Sequence, residues 1–228
     1  MQYKDKYNLT RDQNVRFAKM NFTRLVHTNA RFEGINTTLP QTQTIMDGMG
    51  VDGVSVEDIN TIINLKRGWE LITTPNEETL TLDYVKKVNA IVAAQDALVP
   101  GELQKGSSKV QIGTSEDFVP EPVDTEKEQK FLKNLLSSPL KSTTDKAMTL
   151  MYHYMRGQIF GDGNIRTATL VANKLMIDNG AGLINVPLNH WHKWNELIGD
   201  FYRTNDMNVI EKWTYDNGIQ GVQLFRVN

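Results

Sequence analysis

Five residues from Asp162 to Arg166, Asp-Gly-Asn-Ile-Arg, bring a carboxylate, a tight turn and a guanidinium together. Such a set suits a phosphorylated ligand: the acid takes a hard cation, the turn offers backbone N–H groups, and the arginine holds an oxyanion. A helix start directly after Asn164 adds unpaired N–H groups and the positive end of a dipole. A bare Asp-Gly-Asn also serves as a plain polar turn between helices. It lacks the later ligands and terminal Glu of an EF-hand, and the Gly-Lys-Ser/Thr ending of a Walker loop. Phe160, two residues before the acid, is placed to plug into a core. Gln158 opens the stretch with an amide, which donates and accepts hydrogen bonds but has no pKa near neutrality.

These residues need helices to carry them, and the chain predicts helices almost throughout. Thr10 with Gln13 and Thr125 with Glu128 have capping-box spacing, and Ser55 with Asp58 is a weaker version. Apolar residues recur at helical spacing from Val56 through Trp69, from Leu82 through Val92, and from Phe131 through Leu136 towards Pro139. Further helices are expected over Thr144–Arg156, over Thr167–Asn179 with a stop at Gly180, and around His190–Tyr202 and Asp206–Asn217. Only Lys109–Ile112 and Asp117–Pro120 alternate like strands, with Gly113-Thr114-Ser115 as the turn of a short hairpin. Short loops predict a mainly α, single helical domain over 1–228. The 25 basic and 27 acidic residues are interspersed, which argues against a nucleic-acid footprint or a polybasic membrane anchor. With no cysteine, disulfides, thiol catalysis and the usual structural zinc site are excluded. The polar start, without a long apolar run, leads to the expectation of a soluble, cytoplasmic protein with no membrane partner.

The stretch Gln158–Arg166 resembles the signature of the Fic family, His-x-Phe-x-Asp/Glu-Gly-Asn-Gly-Arg-x-x-Arg. Asn29-Ala30-Arg31-Phe32-Glu33-Gly34, followed by Thr38-Leu39-Pro40, is similar to that family's inhibitory-helix motif, within an expected helix of about 10–34. The 109–120 hairpin looks like its target-positioning flap, and Ala172-Asn173-Lys174 with Gly180-Ala181-Gly182 is similar to its stretch after the motif. The resemblance implies a Fic-type helical bundle with one β-hairpin. It also implies transfer of AMP, or another phosphate-containing group, from ATP or another nucleotide with Mg²⁺ to a Ser, Thr or Tyr hydroxyl of a protein. By position, Gln158 stands at the catalytic His, Asp162 takes the metal, and Gly163, Asn164, Ile165 and Arg166 bind the nucleotide. Glu33 is then the regulatory residue.

Three departures bear on activity. Gln158 cannot take a proton as imidazole does, and general-base catalysis is typically worth about 10²–10⁴-fold. No replacement is evident; His153, five residues earlier, lies about 140° round the helix. His190 and His192 read as ordinary helix surface. Ile165 replaces a Gly, as in Doc-type relatives. Thr169 replaces the second Arg, the usual partner of the inhibitory Glu, so Glu33 is expected to lack a cation and to brake weakly. A non-catalytic nucleotide-binding regulator and a Doc-like phosphotransferase are the alternatives, and a homo-oligomer is left open. The four tryptophans and the methionines of 148–155 are expected to pack rather than to bind.

Overall fold

The computed structural model describes residues 2–75, 78–106, 109–112 and 116–223. Among these residues the helices are α1 (Arg11–Met20), α2 (Phe22–Phe32), α3 (Leu39–Met46), α4 (Val56–Thr73), α5 (Leu82–Val92), α6 (Thr125–Ser137), α7 (Thr143–Gly157), α8 (Asn164–Asp178), α9 (Trp191–Thr204) and α10 (Asn208–Gly218). Strands β1 (Val110–Ile112) and β2 (Glu116–Phe118) pair antiparallel, with Val110 opposite Phe118 and Ile112 opposite Glu116. The turn expected at 113–115 lies outside the described residues. The fold is the mainly α bundle with a short β-hairpin that the helical periodicity and the 109–120 alternation led one to expect.

At its centre is α8, in which 13 of 15 residues are buried. A helix buried on all sides must be packed around, and α7, α5, α4 and α1 do so. One cluster of buried apolar side chains runs from Tyr3 to Ile219 and includes Trp69, Tyr152, Met155 and Phe160. The methionines at 148, 151 and 155 are within it, and Trp69 is fully enclosed. Among the described residues no helix is long and apolar enough to cross a membrane.

Local chemistry explains most helix ends. Thr10 forms its capping box with Gln13, and Ser55 accepts from Asp58 N. The N-cap of α6 is Asp124 rather than Thr125: its carboxylate accepts from Glu126 N and Lys127 N. The segment expected as one helix over 10–34 is two, meeting at Asn21. A second strand pairing, β3 (Leu183–Ile184) with β4 (Ile219–Gln220), also goes beyond the expectation. Strands of two residues are too short to show alternation.

Helix α2 ends in a Schellman motif: Ile35 N donates to Ala30 O and Gly34 N to Arg31 O, both at 3.1 Å. Gly34 supplies the positive φ of 83° that this closure requires. Glu33 is thereby fixed as the C-cap residue, facing α8. Behind it, Asn29 is buried and accepts from Trp69 Nε1 at 2.9 Å, which anchors α2 on α4.

Candidate functional site

Helix α7 stops where Gln158 turns left-handed, at φ 47° and ψ 49°. For a non-glycine residue that conformation costs roughly 1–2 kcal/mol, and the side chain supplies compensation. Gln158 Nε2 donates to Met155 O at 2.6 Å, while Oε1 accepts from Asn164 Nδ2 at 3.1 Å. Asn164 also closes the loop on Phe160: its Oδ1 accepts from Phe160 N at 3.0 Å, and its Nδ2 donates to Phe160 O at 2.9 Å. Phe160 is buried in the core as expected.

Helix α8 then begins at Asn164, next to the helix start expected directly after that residue and three residues before the periodic span from Thr167. Its first backbone bond runs from Thr167 N to Gly163 O at 2.8 Å. The N–H groups of Asn164, Ile165 and Arg166 therefore precede the ladder and are available to an anion. Gly163 sits at φ 70°, and a Cβ there would lie 2.9 Å from that of Ala93 on the α5 side. Only glycine fits both constraints.

The helix start opens into a pocket of about 640 Å³, within the usual range for small-molecule sites. Gln158, Asp162, Gly163, Asn164, Ile165 and Glu33 all line it. Its apolar wall is Phe32 and Ile165 with Trp194, Ile198 and Tyr202 of α9, and Val110 of β1 borders it with the preceding Lys109. Phe32 stacks on Trp194 with centroids 4.6 Å apart. The expectation that the tryptophans only pack is thus incomplete: Trp194 is buried and also forms a pocket wall.

Arg166 is the surprise. It is close to the pocket but does not line it, with 3% of its side chain exposed. Nη1 donates to Val92 O at 2.6 Å and to Asp96 Oδ2 at 2.5 Å, and Nη2 donates to Asp162 Oδ1 at 2.9 Å. Nε faces Glu33 Oε2 at 3.1 Å, an ion pair with poor hydrogen-bond alignment. The expectation that Glu33 lacks a cation is overturned, because Arg166, the first arginine of the motif, stands against it. Burial works against the Arg166 charge, but Glu33, Asp96 and Asp162 outweigh it and raise its pKa. Burial also raises the Glu33 carboxyl above its ordinary value; Arg166 opposes that shift, while Asp162 and Asp96 add to it.

Thr169 lies buried beside Asn29, Phe32, Trp194 and Asn185, around a void of about 10 Å³. No room for a second guanidinium remains there. Among the described residues no histidine lines the pocket. His153 pairs with Glu128 at 2.8 Å and stacks on Phe131, and it lines a separate cavity with Arg156. Tyr202 donates to Met155 O, and burial pushes its phenol far above the usual value. The Asp162 side chain is 48% exposed and lines the pocket, as a magnesium ligand must. Among the described residues no preformed cluster of three or more metal-ligating side chains exists.

The Fic/DOC family model matches residues 79–176, the span from just before α5 into α8. The chain is 25% identical over 185 residues to the protein adenylyltransferase Fic of Nematostella vectensis, and 26% identical over 187 residues to that of Aedes aegypti. It spans only 42% and 36% of the length of those two relatives. The crystal structure of a Fic-domain signaling protein from Bacteroides thetaiotaomicron superposes with a TM-score of 0.75 at 18% identity. That likeness covers 92% of this chain and 87% of the other, and it establishes the fold.

Asp96 and Asn89 escaped the sequence reading. Asn89 left one signal, as a polar residue within the apolar stripe of α5; it is fully buried. Asp96 left none, because only the folded chain brings it to Arg166.

Proposed function

We propose that the chain is a single Fic-type unit that binds ATP, or another nucleotide, with Mg²⁺ in this pocket and transfers AMP slowly to a protein hydroxyl. The observation that carries the reading is the convergence of three groups on one cavity: the free N–H groups of α8, the half-exposed Asp162 and the apolar wall of α9. Asp162 would hold the cation, which neutralises phosphate charge when bound. The start of α8 would cradle the phosphates, and Phe32, Trp194 and Ile198 would exclude water from the base. In the transfer, a target hydroxyl oxygen bonds to the α-phosphorus, the bond to the bridging oxygen breaks, and pyrophosphate leaves. The hydroxyl proton goes to solvent or to the leaving group, since Gln158 cannot accept it. The edge of β1 beside Val110 is the place for an extended target segment to pair. A mass gain of one AMP on the protein itself, in Mg²⁺ and ATP, is the expected result. Nucleotide binding without any mass gain would favour the non-catalytic regulator. One observation already supports that second reading: both ends of the Gln158 amide are spent on Met155 and Asn164.

A further inference from the structure

Asp96 is far in sequence from the 158–166 loop, yet it shares Arg166 Nη1 with the carbonyl of Val92. That nitrogen is thereby tied to the end of α5 and to the segment following it. The opposite edge of the guanidinium, Nε with Nη2, is the edge able to grip two oxygens side by side. It faces Glu33 and Asp162, the two carboxylates that line the pocket. We infer that Asp96 is a positioning residue for phosphate binding. It holds Arg166 from behind, so the Nε–Nη2 edge is already oriented towards the start of α8 when Glu33 and Asp162 release it. The inference rests on the nucleotide reading above.

The segment bearing Asp96 is itself fixed to the same turn. Asn89 Oδ1 accepts from Gly101 N at 2.9 Å, and its Nδ2 donates to Asp162 O at 2.9 Å and to Thr167 Oγ1 at 3.1 Å. Further on, Leu103 bridges Phe160, and Gln104 N donates to Ile159 O at 3.0 Å. Both ends of the segment are therefore pinned to the loop that Arg166 serves. A guanidinium ordered in advance loses less rotamer freedom on binding, an advantage of about three- to tenfold in affinity.

A mere competitor for Arg166 would have the opposite effect, because its removal would free the guanidinium and reduce the local negative charge. Titration of Mg·ADP by calorimetry, with Glu33→Gln as the reference protein, separates the two. Adding Asp96→Ala is expected to weaken binding about three- to tenfold. Adding Asp96→Asn, which keeps an acceptor for Nη1, should restore it. In an Arg166→Ala background the Asp96→Ala effect should vanish. Affinity that is unchanged or tighter on adding Asp96→Ala overturns the inference, as does a loss that persists without Arg166. Should the alanine variant not fold, Asp96→Ser, too short to reach Nη1, replaces it. If the reference protein binds no nucleotide, the nucleotide reading fails. The positioning role is then decided by the Arg166 Nε–H resonance in the ¹⁵N-labelled protein. It should be sharp with Asp or Asn at 96 and broadened with Ala; a sharp resonance with Ala sinks the proposal.

Discussion

At position 158 an imidazole would have to give up what the glutamine amide does. The amide spans Met155 O and Asn164 Nδ2 and holds a left-handed residue at the end of α7. Gln158→His should therefore raise self-modification by on the order of 10²-fold, the worth of a general base. It should also lose about 1–2 kcal/mol of stability, the net value of two hydrogen bonds. Intact mass reads the first effect and urea unfolding the second; a variant that is folded but inert places the lesion elsewhere in the motif. Glu33 makes the companion prediction. Its carboxyl is raised by burial, so between the ordinary value near 4.5 and the raised one the folded chain holds a proton that the unfolded chain has released. This contribution to stability is present below that window and is lost as pH rises through it. Glu33→Gln should flatten that slope in unfolding measurements made across the window. It should also tighten Mg·ADP binding at neutral pH by freeing Arg166; unchanged affinity would show that Glu33 does not compete with the ligand.

At the scale of elements, the turn between α7 and α8 depends on one glycine. Gly163→Ala places a Cβ at a φ of 70° and 2.9 Å from Ala93 Cβ, so either the turn or the α5–α8 approach must shift. A destabilisation of about 1–3 kcal/mol is expected, the cost of strain at such a position, together with loss of nucleotide binding. Retained affinity in calorimetry would mean that the α8 start is not the anion site. The same loop shows what sequence can and cannot reveal. Helices were legible because Leu82, Val85, Val88 and Val92 repeat with the helical period, and the Asp-Gly-Asn turn announced a site. The periodic pattern alone began at Thr167, because Asn164 and Ile165 enter the helix beside Gly163 and the Asn164–Phe160 bonds. Asp124 displaced Thr125 as the cap because both neighbours are good capping residues, and the Asp124 carboxylate is the one that accepts from Glu126 N and Lys127 N. The Glu33–Arg166 pair was hidden for a different reason. A contact between α2 and α8 has no local signature, and a motif position suggested the wrong partner.

Across the whole molecule, positions 33, 166 and 169 are mutually adjusted. Thr169 is enclosed by Asn29 and Phe32 of α2, Trp194 of α9, and Asn185 beyond β3, with a void of only about 10 Å³ left between them. Restoring an arginine at 169 would thus not restore a familiar site. The larger side chain must displace the Phe32–Trp194 stack, and overpacking of that kind costs about 1–3 kcal/mol. It also buries a second guanidinium while Glu33 is already held by Arg166. For a chain of this size each kcal/mol lowers Tm by about 2–4 °C, so Thr169→Arg should melt roughly 5–10 °C below the wild type. Adding Phe32→Ala opens space beside Trp194 and should recover part of that loss, although Phe32→Ala alone is destabilising. Calorimetric melting of the two single variants and the double measures the coupling directly. Simple additivity would mean that position 169 accepts an arginine without disturbing α2 and α9. A rescue would mean that the packing of the two helices, rather than the chemistry of one residue, keeps the second guanidinium out.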